Sequence, residues 1–257
     1  MDLGLQNKVA LIAGSSRGIG KAIAAQLLAE GALVCVTGKN EIALDACLKE
    51  LEAKYPAENV LAVSGDLTEI HAIQSVLAAI RDKWGRLDVL VANLGSGSGK
   101  PGWDQSEEEW DRIFRVNFWG SVRLARAAIP GLIEQGGAIV FLASIVGLEM
   151  TLAPIPYSAA KAALINYSKN LARTLATDGV RVNSVAPGNI LFSGGSWERH
   201  LNERREQVEQ YIAKEVPLQR FGTPDEIASL VIFLCSAAAG FSTGACYVMD
   251  GGQTRRI

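Results

Sequence analysis

Seven short apolar runs alternate with amphipathic stretches along the chain, and a glycine cluster follows the first of them. Together they predict an α/β protein, a doubly wound, mainly seven-stranded parallel sheet with helices on both faces. The runs cover 9–13, 33–37, 60–64, 87–92, 138–142, 180–185 and 245–249. Between the first two, Ile19, Ile23 and Leu27 recur at helical spacing. No repeat, low-complexity tract or linker divides the sequence, so residues 1–257 read as one domain with right-handed crossovers.

Composition narrows the class of function. Hydrophobic residues make up 49% of the chain, enough for one sizeable core. A net charge of −2 without a basic stripe argues against a nucleic-acid partner. Cys35, Cys47, Cys235 and Cys246 lack CxxC spacing and form no metal-like set with the two histidines, so reduced thiols and no metal are expected. Residues 228–249 carry no charge over a length that could span a bilayer, but Ser229, Ser236, Gly240, Ser242, Thr243 and Gly244 interrupt them. A buried helix, a loop and a strand explain them better. The apolar run at the N-terminus is too short for a signal peptide, and a cytoplasmic protein is expected.

The first run leads into Ala13-Gly14-Ser15-Ser16-Arg17-Gly18-Ile19-Gly20 and then a helix. Gly14 suits the sharp turn, Gly18 lets backbone approach a pyrophosphate, and Gly20 permits close packing of helix on strand. Free N–H groups and the helix dipole favour phosphate there. The spacing is GxxxGxG rather than GxGxxG.

The second run ends Thr37-Gly38-Lys39-Asn40, where a carboxylate would hold the ribose of NAD and a base would accommodate a 2′-phosphate. Lys39, with Arg17 nearby and no acid at 37–40, puts NADP(H) ahead of NAD(H). Lys39 also reads as a solvated loop residue beside Glu41. After the third run, Asp66 could accept from an adenine amino group or cap the next helix, since Asp66 and Glu69 approximate a capping box.

The fourth run delivers Asn93-Leu94-Gly95 and a glycine-rich rim, with Ser106 and Glu109 marking the next helix start. Asn117, an amide amid Phe114, Phe118 and Trp119, needs partners if buried, which suits a water-holding or backbone-opening role. The fifth run brings Ser144 to the carboxyl edge, beside the glycine loop. In Pro156-Tyr157-Ser158-Ala159-Ala160-Lys161, phenol and ammonium share one helix face near its start. A nearby cation would lower the phenol pKa and make Tyr157 an acid/base near neutral pH. The plain alternative for that pair is surface packing.

Taken together, Gly14/Gly18/Gly20, Asn93, Asn117, Ser144 and Tyr157/Lys161 resemble the short-chain dehydrogenase/reductase family over essentially the whole chain, to Asp250-Gly251-Gly252. The resemblance implies a Rossmann-type fold and a 3-oxoacyl-ACP reductase-like protein. Its catalytic set would be Asn117, Ser144, Tyr157 and Lys161. Its cofactor contacts would come from Gly14, Ser16, Arg17, Gly18, Ile19 and Gly20, from Lys39, Asp66, Leu67, Asn93 and Gly95, from Tyr157 and Lys161, and from Pro187, Gly188 and Ile190. Hydride would pass between nicotinamide C4 and a small-molecule carbonyl or alcohol. Tyr157 would move the proton, Ser144 hold the oxygen, and Lys161 lower the tyrosine pKa and bind ribose. Asn117 would hold a relay water, and the Ile190 backbone would meet the carboxamide.

A homotetramer is implied too, with helices around Asn117 and Tyr157 and the 247–252 region at its contacts. A non-catalytic NADP(H) sensor would be the alternative from another class, and it predicts loss of the catalytic set. Three positions depart from the family pattern: Ala13 for Thr, Leu94 for Ala, and Phe192 for Thr, with Ser193 as a substitute ligand. Residues 191–216 should close over substrate, their charged run facing solvent and His200 at the surface.

Overall fold

The computed structural model describes residues 2–100, 102–151 and 153–255. The expected single-domain span 1–257 thus includes five residues outside the described ones, at 1, 101, 152, 256 and 257. Seven parallel strands form one sheet in the order β3-β2-β1-β4-β5-β6-β7. They are β1 (Val9–Ile12), β2 (Leu33–Gly38), β3 (Val60–Ser64), β4 (Val89–Ala92), β5 (Ala138–Leu142), β6 (Arg181–Pro187) and β7 (Cys246–Met249). All seven apolar runs became strands, with ends shifted by at most two residues.

Two-sided burial explains why those runs were continuous rather than alternating. In β1, Ala10 and Ile12 join one core with Ile23, Leu27, Val34 and Val231. Val9 and Leu11 face the other, with Ile73, Leu90, Leu124 and Phe141. Helices α1 (Gly18–Ala29), α2 (Glu41–Glu52) and α8 (Pro224–Cys235) supply the first core. Helices α3 (Ile70–Trp84), α5 (Gly120–Ile133) and α6 (Ile155–Leu175) supply the second. The uncharged stretch 228–249 resolves into part of α8, a loop and β7. Among the described residues no helix is long and apolar enough to cross a membrane.

Strand β1 lies between β2 and β4, in register Val9↔Leu33 and Ala10↔Val89. Chain order reverses there, so the loops leaving the carboxyl ends diverge and open a crevice. Two local details position the site. Helix α4 (Glu107–Phe114) starts where expected, with the Ser106 hydroxyl accepting from Glu109 N at 3.3 Å. It then runs into α5 through a π-turn, Arg115–Trp119, centred on Asn117.

The capping box expected from Asp66 and Glu69 does not form. Helix α3 begins at Ile70 with Glu69 as an uncapped N-cap, and Glu69 pairs instead with Arg115. Asp66 Oδ1 accepts from both Thr68 N (2.9 Å) and Thr68 Oγ1 (2.8 Å), which closes a local turn.

Candidate active site

A cleft of about 1400 Å³ runs along the carboxyl edge of the sheet. Gly14, Ser16, Arg17, Ile19, Lys39, Leu67, Asn93, Gly95, Ser144, Tyr157, Lys161, Pro187, Gly188 and Ile190 line it. Four expected site residues do not: Gly18, Gly20, Asp66 and Asn117 are absent from its lining.

The glycine loop is built for close approach. Gly14 has φ +62°, a left-handed conformation that side chains rarely adopt. A Cβ on Gly20 would come 2.4 Å from Gly14 O, so α1 can pack on the loop only without one. Asn93 Nδ2 donates to Gly14 O at 2.9 Å, tying β4 to the loop. Where Ala13 lacks a hydroxyl, neighbours provide it. Thr37 Oγ1 accepts from Gly14 N (3.2 Å), and Ser15 Oγ accepts from Thr37 N (2.8 Å) while donating to Ile12 O (2.7 Å). Sequence reasoning missed Ser15 and Thr37 as the ties, although a buried hydroxyl at a strand end was the available signal.

Lys39 Nζ meets Asp66 Oδ2 at 2.7 Å, so the two expected cofactor residues pair with each other. The resulting ion pair stands at the outer end of the cleft, where Arg17 also lies. Arg17 Nη1 donates to Gly194 O at 2.9 Å. The Phe192 ring lies over Gly18, where a Cβ would come within 2.6 Å of it. Ser193 does not line the cleft.

The catalytic face comes from three elements. Pro156 in the first turn of α6 leaves Tyr157 half-buried at the helix start, one turn before Lys161. Ser144 follows β5; its hydroxyl lies beside the Tyr157 phenol and accepts from Val146 N at 3.4 Å. Lys161 is 3% exposed and donates to Leu142 O (2.8 Å) and Leu94 O (3.4 Å). An ammonium has three N–H groups, so one remains for a hydroxyl in the cleft. Gly95 leaves room here, since a Cβ would come 3.0 Å from both Lys161 Nζ and Asn117 Oδ1 and crowd them.

The electrostatics correct one expectation. Burial pushes the Tyr157 phenol above its ordinary range, with the Ser144 hydroxyl acting the other way. Lys161 does not offset that burial; its Nζ donates to two backbone carbonyls and lies 6.0 Å from the centroid of the ring. Burial instead pushes Lys161 down to about 8. The free protein therefore holds Tyr157 protonated at neutral pH.

Asn117 is 1% exposed and fully engaged as a donor. Its Nδ2 donates to Ser96 O (3.2 Å) and Ile113 O (3.0 Å), and its Oδ1 accepts from Ser96 N (2.9 Å). Taking the carbonyl of Ile113, four residues back, accompanies the π-turn. The backbone-opening role fits these bonds, and only an Oδ1 lone pair remains for a water.

Known proteins share this layout. The sequence model of a family described as enoyl-(acyl carrier protein) reductase matches residues 13–254. The 3-oxoacyl-(acyl-carrier-protein) reductase of Vibrio cholerae is 38% identical, over 98% of this chain and 99% of its own. The dehydrogenase/reductase SDR family member 4 of Oryctolagus cuniculus is 33% identical, over 98% and 96%. The chain belongs to the short-chain dehydrogenase/reductase family. It is an oxidoreductase of that family, with the Rossmann-like architecture described above. The structure of L-sorbose reductase from Gluconobacter frateurii, complexed with NADPH and L-sorbose, superposes with a TM-score of 0.90 at 33% identity and full coverage of both chains.

The lid expected over 191–216 contains α7 (Ser196–Glu215), kinked at Arg204 (φ −153°, ψ 55°). Trp197 stacks on Tyr211 at 5.7 Å and 17°, and meets His200 edge-on at 5.7 Å. Trp197, His200 and Tyr211 line the cleft, so His200 is at its rim rather than on open surface. The buried thiols take no part, since burial pushes Cys35 and Cys235 up to about 12.

Proposed function

We propose that the protein transfers hydride between NADP(H) and the carbonyl or secondary alcohol of a small molecule, with Tyr157 as general acid/base. The observation that carries this reading is the Ser144–Tyr157–Lys161 arrangement at the point where strand order reverses, beside a glycine-lined cleft. The residues present fit a dinucleotide: a backbone cradle at Gly14, a basic residue at the end of β2, and a buried ammonium with one N–H to spare. Arg17, Ser16, Ile19 and Leu67 would flank its adenosine half, and Pro187, Gly188 and Ile190 its nicotinamide half. NAD(H) remains the secondary cofactor.

A bound nicotinamide cofactor supplies the hydride. The protein's own groups do the rest. Ser144, its hydroxyl accepting from Val146 N beside the phenol, donates a hydrogen bond to the substrate oxygen and holds that oxygen against Tyr157. The phenol, kept protonated by burial, releases its proton to the oxygen as negative charge builds there. Lys161 orients the ribose through the one N–H that Leu142 O and Leu94 O leave free. Asn117 keeps Ser96 and the loop after β4 in place, with one Oδ1 lone pair for a relay water. Alcohol oxidation reverses these steps.

Reduction of a 3-oxoacyl group on a carrier protein is the narrower reading, supported by the Vibrio cholerae relative and two others of that printed activity. Against it, Arg112 and Arg115 beside the cleft are already paired with Glu109 and Glu69. A homotetramer is part of the proposal, and exposed Trp119 and Phe241 suit apolar contacts between subunits. Light scattering reads it directly, and a monomeric mass at micromolar concentration sinks it. The reaction is tested by following NADPH absorbance against a panel of ketones and aldehydes. Tight NADPH binding with no turnover of any carbonyl or alcohol would replace the enzyme by a sensor.

A further inference from the structure

The residue that follows Asp250-Gly251-Gly252 joins two walls of the cleft. Gln253 Oε1 accepts from Asn189 Nδ2 at 2.8 Å, and Gln253 Nε2 donates to the Tyr211 hydroxyl at 2.8 Å. Asn189 belongs to the loop after β6, immediately before Ile190, while Tyr211 stands on α7. The C-terminal segment that carries Gln253 is itself held. Asp250 accepts from Gly252 N (2.9 Å) and Thr254 N (2.7 Å), and Glu149 accepts from Arg255 N through both oxygens at 2.9 and 3.0 Å. One short segment therefore ties together two loops and α7 around the substrate end of the cleft.

The consequence lies in the hydroxyl of Tyr211. A phenol carries one donor and acceptor lone pairs. Gln253 occupies an acceptor position, and no other protein group among the described residues bonds this hydroxyl. Stacking on Trp197 at an interplanar angle of 17° sets the ring plane, so the O–H is oriented by two neighbours and faces a cleft that Tyr211 lines. We propose that Tyr211, positioned by Gln253, is a specificity determinant that donates a hydrogen bond to a second oxygen of the substrate. The preferred substrates are then ketones with an acceptor oxygen beyond the reacting carbonyl, in place of plain alkyl ketones. This rests on the carbonyl-reductase reading above and names its substrate class.

Acceptor-only probes matched in size test it: methoxyacetone against pentan-2-one, 4-methoxybutan-2-one against hexan-2-one, and 5-methoxypentan-2-one against heptan-2-one. Two readouts are taken on the NADPH-loaded protein, kcat/KM and the calorimetric Kd. In the unaltered protein at least one ether should be preferred over its alkyl match by about fivefold or more, the range of one hydrogen bond. The preference should fall to about one in Tyr211→Phe and in Gln253→Met. Gln253→Glu should also abolish it, because the carboxylate can only accept and takes the Tyr211 proton for itself. No preference in either readout for any pair, or a preference that survives all three substitutions, overturns the proposal. Discrimination in binding without turnover would defeat the reaction assigned above and leave Tyr211's role standing.

Discussion

Lys39 and Asp66 face each other across the ends of β2 and β3, ammonium to carboxylate at 2.7 Å. Both side chains are substantially open to water, 58% and 35% exposed, so the pair contributes at most about 1 kcal/mol. Asp66 also keeps its two bonds to Thr68 when Lys39 leaves. A ribose 2′-phosphate is the stronger partner, since a hydrogen bond to a charged group is worth about 1.5–3 kcal/mol. Lys39→Ala should therefore weaken NADPH by about tenfold or more and NADH by less than about twofold. Fluorescence titration with both cofactors measures this, and equal losses refute the phosphate role. Asp66→Asn, which frees Lys39 while preserving an acceptor for Thr68, should move NADPH affinity modestly upward.

Tyr157→Phe removes the proton donor and leaves the ring. Turnover should drop by about 10²–10⁴-fold, the range of general acid catalysis, while the NADPH dissociation constant changes little. Ser144→Ala should lower kcat less, because its hydroxyl positions an oxygen that Tyr157 still protonates. A Tyr157→Phe enzyme retaining near-normal kcat would place the proton transfer elsewhere.

Much of this could be read from the chain before folding, and the limits have physical causes. The strands were legible because burial on both faces writes itself as unbroken apolar runs, as in β1 with Ile12 on one core and Leu11 on the other. Asn117 was legible as an amide in need of partners. Its partners were not, because Ser96 arrives from a loop 21 residues away. Spacing placed Tyr157 and Lys161 on one face, but it carries no information on where a flexible ammonium ends. Carbonyls from Leu94 and Leu142, 67 and 19 residues distant, decide that, and burial of the phenol decides the direction of the tyrosine shift. Gln253 was invisible for the same reason, its partners lying 64 and 42 residues back.

Asn117→Ala should cost both stability and rate. The substitution removes three bonds and leaves Ser96 N, Ser96 O and Ile113 O in search of new partners. An unsatisfied buried group costs about 1–3 kcal/mol, and partial rehydration from the cleft places the total near the lower end of the summed range. A loss of about 3 kcal/mol corresponds to a fall in Tm of roughly 6–12 °C for a chain of this size. The displaced loop after β4 should also lower kcat. An unchanged Tm would mean that the amide does not hold Ser96.

Lys161 offers the prediction with the clearest sign. Burial brings its pKa in the folded protein to about 8, against about 10.4 in an unfolded chain. Below the lower value both states carry the proton, and the folded state bears the full cost of a buried charge. Between the two values the unfolded chain holds more protons, so stability rises with pH, and the relief is complete above the unfolded value. Lys161→Met has no such titration. Measured as Tm between about pH 7 and about pH 10, the wild-type protein should gain on the variant by several degrees, at roughly 2–4 °C per kcal/mol. Ketone reduction by the wild-type protein should fall over the upper part of the same window, because a neutral Lys161 keeps only two N–H groups, which Leu142 O and Leu94 O take, and none is left to orient the ribose. Parallel melting curves for wild type and variant across that window would mean that the ammonium is solvated, not buried against Leu142 and Leu94.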